Sequence, residues 1–354
     1  MSAKLRDAAR ADDLFRILEK YAPQLAGSLM EAWRDGVLHV VLDDLADLIS
    51  KGLIDEALTL VMWGADRVFA AKAAAPLQEA FTAVAAHVWT RDLPPMPKVS
   101  RIRVVFDALN PNTVDAAKRN QLEMVQEVTT ETRDGLKAYI EDALKRGLGS
   151  KQIARNIKAK SGFGLTSGQE TAAQNYRAFL SDIHNTKAVK QMGLGLKRSL
   201  EVDARGVNVD GIHQWRLRDL RYDRSIKRAI EDNKPLTAKQ IDEQVLAYRR
   251  RSLILRSQTI AQHEMMKAMS QGSEASWRQL VEQGLYGPGD LLRYWFVTPS
   301  EARVCPKCRP MPRLNAKGRG LDEPFIDGNG NPVHSAPLHV KCRCVVYVRV
   351  RKGR

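Results

Sequence analysis

Apolar residues recur at helical spacing from early in the chain. Leu14, Ile17, Leu18, Tyr21, Leu25 and Leu29 form one stripe, the pattern of a helix with one buried face. The same period continues through "VVLDDLADLISKGLIDEALTLVMWG" and "APLQEAFTAVAAHVW", so residues 12–92 read as helices. His39 and His87 fall on apolar faces and are expected as packed core histidines, with Trp33, Trp63 and Trp89 also in the core. "RDLPPMPKVSR", Arg91 to Arg101, reads as a linker, because paired prolines cannot continue a helix. "RIRVVF" follows as a short strand or extended arm.

A long helix then starts at Asn and Thr caps and stops at Gly147, with fraying expected around "TTETRDG". "SKQIARNIKAKSGFG" is a second, short helix. The third carries Ser167 and Glu170 as a capping box. The longest pattern opens with Thr237 and Gln240 as caps and carries a stripe of Ile241, Val245, Leu253, Ile260, Met269, Trp277 and Leu280. "GLYGPGD" ends it. Beyond that point aromatic and β-branched residues rise, "IDGNGNP" signals a hairpin, and "VVYVRVR" alternates like a half-buried strand. The expected fold is mainly α: long helices forming an extended helical body, with a small β-rich α+β C-terminal module. The expected divisions are an N-terminal helical domain at 1–92, a linker or arm at 93–111, a long-helix body at 112–290 and the C-terminal module at 291–354.

Cysteine placement adds chemistry to that module. All 4 cysteines of the chain, Cys305, Cys308, Cys342 and Cys344, fall within it, with His334 and His339 before the second pair. Cys-x-x-Cys lets one turn aim two thiolates at one ion, and His339-Val-Lys-Cys342-Arg-Cys344 offers further soft donors. Structural zinc, a disulfide formed after release from the cell, and free packed thiols are all open readings. For zinc, Cys305 and Cys308 lead the ligand set, His339, Cys342 and Cys344 compete to complete it, and His334 is an outer group or plain loop. A catalytic ion is disfavoured, because sulfur-rich sites are usually closed and no carboxylate stands ready as a base. A metal clip also suits a segment too short to bury much core.

The formal charge is +15 and the pI about 9.7, which favours polyanionic partners. The N-terminus lacks a secretory apolar core and no apolar run is long enough to cross a bilayer. No membrane is therefore expected, and synthesis in a reducing cytoplasm is. One cluster holds Arg216, Arg218, Arg221, Arg224, Lys227 and Arg228 around Trp215 and Tyr222. A second holds Arg249, Arg250, Arg251 and Arg256. The tail adds Arg343, Arg349, Arg351, Lys352 and Arg354. These are candidates for backbone-directed contact with double-stranded DNA; the alternative is a solvated face paired with Asp219, Asp223 and Glu231. "QHEMM" lacks the second histidine of a zinc-protease helix, and "GLGSK" lacks the spacing of a phosphate loop.

Several stretches together carry a resemblance: "RDLRYDRSI", "RSQTIAQHE", "YWFVTPSEARVCPKCRPM", "EPF" and "PLHVKCRC". Residues Thr113 to Val348 resemble the Mu gpF-like and SPP1-type minor head proteins of tailed bacteriophages, most closely in the CxxC and HxxCxC pattern of Cys305, Cys308, His339, Cys342 and Cys344. Family members often carry Arg-Thr-Glu where this chain has Gln262-His263-Glu264, and His-Pro-x-Cys where it has His339-Val-Lys-Cys342. The resemblance implies a non-enzymatic structural protein in the virion, bound to the portal and in reach of major capsid or scaffold protein. Its role there would be head assembly and DNA packaging or ejection. Two alternatives stand beside it: a metal-dependent or toxin-like enzyme on the same scaffold, and a free non-sequence-specific DNA-binding protein.

Overall fold

The computed structural model describes residues 3–89, 106–159, 163–184, 217–297 and 305–351. The expected linker Arg91–Arg101, nearly all of "RIRVVF", and Arg216, Lys352 and Arg354 lie outside them. The fold is mainly α, as expected. The helices are α1 (Ala3–Asp35), α2 (Leu42–Ser50), α3 (Ile54–Met62), α4 (Ala65–His87), α5 (Pro111–Lys145), α6 (Ser150–Lys158), α7 (Ser167–Asp182), α8 (Asp223–Glu231), α9 (Ala238–Glu282) and the single turn α10 (Met311–Leu314). The strands are β1 (Leu291–Phe296), β2 (Phe325–Ile326), β3 (Pro332–Val333) and β4 (Val345–Val350). Two compact units interleave along the chain: Met1–Glu31, Phe69–Gln126 and Ser257–Arg354 in one, Ala32–Val68 and Glu127–Arg256 in the other. They therefore do not follow linear segments of the chain.

In the second unit, α7, α8 and α9 bury a shared core that includes Tyr176, Phe179, Leu180, Ile226, Val245 and Tyr248. The capping box of α7 sits one residue earlier than the sequence suggested. Thr166 is extended and exchanges hydrogen bonds with Gln169, at 3.2 Å to its hydroxyl and 3.1 Å from its own N–H. Ser167 is already helical, and Glu170 turns inward instead. The capping pair Thr237 and Gln240 stands where expected, with bonds of 2.9 and 3.2 Å.

Helix α5 does not fray at "TTETRDG". Asn110 caps its start by accepting from the Asn112 N–H at 3.0 Å, and the helix then runs unbroken. The threonines and glycine that suggested weakness are used in packing. Thr132 is fully buried and accepts from Trp33 at 3.3 Å and from Arg256 at 3.0 Å. Gly135 lets the backbone at Leu165 press against the helix.

Arg256 is the central polar contact of this unit. Its guanidinium also donates to Gly164 O at 2.5 Å, Val128 O at 3.3 Å and the Glu131 carboxylate at 2.8 Å, and it lies over the Trp33 ring. Five fixed donors suit one arginine to many acceptors.

Two expectations fail here. Trp63 is 71% exposed rather than core. His39 is exposed as well, with Nε2 3.0 Å from Leu60 O and its ring 6.0 Å from that of Trp63. Both sit where helices end: Trp63 is the C-cap of α3 and His39 lies in the turn after α1. Periodicity there no longer reports which side faces the core.

In the first unit, Val88, Trp277, Leu280, Leu291, Leu321 and Val348 share a core. Gln279 holds the chain entering α5 by donating to Asp107 O at 2.7 Å and Thr113 Oγ1 at 2.8 Å. β1 pairs antiparallel with β4 from Leu291↔Val350 to Phe296↔Val345, and β2 pairs with β3. The expected hairpin forms. Asp327 accepts from the N–H groups of Asn329 and Asn331, each at 2.8 Å, and Gly330 supplies the positive φ of +85°. Among the described residues no helix is long and apolar enough to cross a membrane.

Glycine to alanine inside a helix normally gains about 1 kcal/mol. Two positions reverse that sign. A Cβ at Gly135 would stand 1.8 Å from Leu165 O, and one at Gly272 would stand 2.5 Å from Phe81 O. Gly135→Ala and Gly272→Ala should each lower the urea midpoint, the former more. A midpoint at or above wild type for either would contradict the close packing.

Candidate metal centre

Two short turns bring the module's donors together. In the first, the N–H groups of Cys308 and Arg309 both donate to Cys305 O at 3.0 Å. The chain continues straight into α10, so the turn is held at its far end. In the second, the Cys342 N–H donates to His339 O at 3.0 Å, with Lys341 in the left-handed region at φ 62°. Cys344 follows immediately before β4, whose pairing with β1 anchors it.

The donor atoms form two overlapping groups, Cys305–Cys308–His339 and Cys308–Cys342–Cys344, each with all atoms within 4.8 Å of one another. Cys308 belongs to both. Its sulfur lies 3.1 Å from His339 Nε2 and 3.8 Å from Cys342 Sγ. A tetrahedral ion with metal–sulfur bonds of about 2.3 Å has sulfur–sulfur edges of about 3.8 Å. Cys308, Cys342 and Cys344 are buried and Cys305 half-buried, and all four are free thiols. The five expected ligands are thus assembled at one place, and the cluster could hold a metal ion.

The electrostatics point the same way. A hydrogen bond from Cys344 pulls the Cys342 thiol down to about 5. Burial and then the neighbouring Cys342 push Cys308 up to about 12, and the bond to Cys342 together with burial pushes Cys344 above the ordinary thiol range. Crowded, buried sulfurs cannot all ionise without a cation among them. The chemistry of the set therefore fits a soft divalent ion. The Trp295 indole is buried in the same cluster and hydrogen-bonds Cys344.

Arg293 holds the loop that carries these turns. It donates to Gly320 O at 3.0 Å, His334 O at 2.7 Å and Glu323 O, and lies over the Phe325 ring. The residue is 3% exposed. His334 itself is exposed and contributes its carbonyl to this clamp. The sequence reading overlooked Arg293. The signal was there: the alternation of β1 puts position 293 on the same buried face as Leu291 and Trp295.

The arginine clusters separate. Arg218 and Arg249 are corrected from DNA candidates to interior residues. Arg218 forks onto Asp223 at 3.1 and 3.0 Å. Arg249, its side chain 9% exposed, bonds Glu170 at 2.6 Å and lies over Tyr139. Neither can leave its partner and reach a phosphate without exposing an uncompensated buried charge. Arg256 is interior too. A run of arginines on a helix points to all sides, so Arg249 faces in while Arg250 faces out. Arg221 is exposed but bound to Asp219, and Arg251 bridges to Asp219 at 3.3 Å. Arg224, Arg228, Arg250 and Arg351 are exposed, while Arg343 and Arg349 lie over Phe15 and Tyr294. No family model matches the chain, and neither a curated protein nor a solved structure does.

Replacing Arg293 by Met would take the donor from three part-buried backbone carbonyls. Glu323 and His334 are exposed residues, so the cost per carbonyl falls toward the lower end of about 1–3 kcal/mol. Urea unfolding of Arg293→Met should show a loss of about 2–3 kcal/mol, with little recovery in Arg293→Lys, which lacks the planar fork. A loss under about 1 kcal/mol would refute the clamp.

Glu170 gives a pH test. Burial, opposed by Arg249, pushes its carboxyl from 4.5 up to about 7. The folded state therefore keeps a proton that the unfolded chain releases. That contribution to stability is complete below 4.5 and is lost as pH rises through about 7. Glu170→Gln cannot titrate, so its stability relative to wild type should climb between about pH 5 and 8 in denaturation curves. A constant difference over that range would count against it.

Proposed function

We propose that the protein is a structural minor head protein of a tailed bacteriophage, made in the host cytoplasm and carried inside the capsid near the portal vertex. There it assists head assembly and DNA packaging or ejection, and its C-terminal module is fastened by structural zinc. The observation that carries this reading is the convergence of Cys305, Cys308, His339, Cys342 and Cys344 in one module, the residues on which the family resemblance is most specific. The donor set is sulfur-rich and sits in packed core, which suits a closed site rather than one holding a reacting water. That favours a scaffold over a metal-dependent or toxin-like enzyme.

The partners are the portal, with capsid or scaffold protein nearby, and the packaged duplex. The charge of +15 supports lying against dense phosphate, and exposed Arg224, Arg228, Arg250 and Arg351 are the groups free of the interior. Such contact would be salt-sensitive and indifferent to sequence.

Two measurements test the proposal. Elemental analysis of the reduced, folded protein should find one zinc per chain, and chelation should unfold the C-terminal module. Purified virions should contain the protein, and it should co-purify with the portal encoded beside it. Absence from virions would overturn the head-protein reading. Absence of metal would overturn the zinc reading alone.

A further inference from the structure

We infer that the second unit docks a second copy of this chain head to tail: the apolar, acid-rimmed surface around Trp63 of one copy seats on the apolar, basic face of α9 in the next.

The first surface lies at one end of a helical hairpin. α2 and α3 pack together across the turn Lys51–Leu53, so the end of α3 returns beside the start of α2. His39 ties the two ends, its ring 6.0 Å from that of Trp63 and its Nε2 3.0 Å from Leu60 O. Leu38, Val41 and Trp63 are 64%, 55% and 71% exposed there, with Leu42 beside them. The inner faces of both helices are already occupied by Leu45, Ile49, Leu58 and Val61, so these four side chains are surplus to the core. Apolar groups gathered in this way mark an interaction surface, and tryptophan is a frequent anchor of such surfaces.

Charge selects the partner. From Asp35 to Asp66 the sequence has 7 acidic residues and 1 basic one, in a chain of net +15. Asp43, Asp44 and Asp66 are exposed at the rim. Lys151 stands 3.9 Å from Asp43, and exposed Arg67 follows Asp66, which leaves the rim acidic. A rim of that sign repels a duplex and favours a basic protein face.

The same unit offers one. Along α9, Leu246, Arg250 and Ile254 are exposed at every fourth position, with Leu255 next to them, and residues so spaced share one helix face. The opposite face, with Val245, Tyr248, Arg249 and Leu253, is buried. Arg251 reaches Asp219 at 3.3 Å, which brings exposed Leu220 and Arg221 alongside. Arg221, Arg250 and Arg251 outweigh Asp219 there, and Glu243 lies one turn before Leu246. The two surfaces are thus both apolar and opposite in charge, and each is exposed in a single copy. Unlike faces meet head to tail, and such a contact repeats from copy to copy. Arg250 is common to this face and to the proposed duplex contact, so DNA and a second copy would exclude one another there.

Sedimentation of the nucleic-acid-free full chain at micromolar concentrations tests the contact. Wild type should associate reversibly, and beyond a dimer, as concentration rises. Trp63→Glu, or Leu38→Glu on the same surface, should weaken association at least about tenfold, and so should Leu246→Glu combined with Arg250→Glu. A mixture of Trp63→Glu with that α9 variant keeps one intact pair of faces and should stop at a 1:1 dimer. Unchanged urea midpoints in the variants separate loss of contact from loss of folding. A wild type that stays monomeric overturns the inference, and if Trp63→Glu then also loses co-purification with the portal, the surface belongs to the portal instead. An α9 variant that associates like wild type overturns it as well, because Trp63 would then meet its own like face.

Discussion

The crowding of thiols around Cys308 is the constraint on which the C-terminal module depends. Its sulfur touches both donor groups at once. The segment from Cys305 to Cys344 has only a few buried apolar side chains of its own besides the cysteines, Met311, Leu321, Phe325 and Ala336. So short a stretch gains little from apolar burial. Buried sulfurs are a poor substitute for aliphatic core unless something neutralises them, and a cation held by the cluster would do so while tying two distant turns together. The surrounding structure brings the donors together. The β2–β3 hairpin brings the chain back, the β1–β4 pair anchors the second turn, and Arg293 ties together three loop carbonyls.

The same physical solution recurs elsewhere. Arg256 in the second unit and Arg293 in the first both use a planar guanidinium to satisfy backbone carbonyls from separate segments. Arg249 does the related job of balancing Glu170 while stacking on Tyr139. The basic excess of this chain is therefore partly architectural. Arginine is suited to this because it stays charged when buried and offers its donors in a fixed fork. Only the arginines left outside these networks remain for a polyanion.

Much of the fold was readable from neighbouring residues. The 3.6-residue apolar period located the long helices. Thr237 with Gln240, and Asn110, marked starts that the structure keeps. The Gly- and Asn-rich run after Ile326 marked the hairpin. The residue types and spacings of Cys305, Cys308, His339, Cys342 and Cys344 were enough to nominate the metal centre. All of these depend on contacts within a few positions along the chain, where backbone geometry alone dictates which atoms meet.

The remainder rested on partners far away in sequence. Whether Arg249 or Arg250 faces the interior depends on Glu170 and Tyr139, and nothing within "YRRRS" says so. Gly135 looks like a helix breaker until the backbone at Leu165 is laid against it. Trp63 looks like core until its helix ends. The sequence by itself determined the long helices, the caps at Asn110 and Thr237, and the chemistry available to the module. Tertiary structure decided which charges were buried and which donors faced one another, because burial and convergence are set by segments that no local pattern can see.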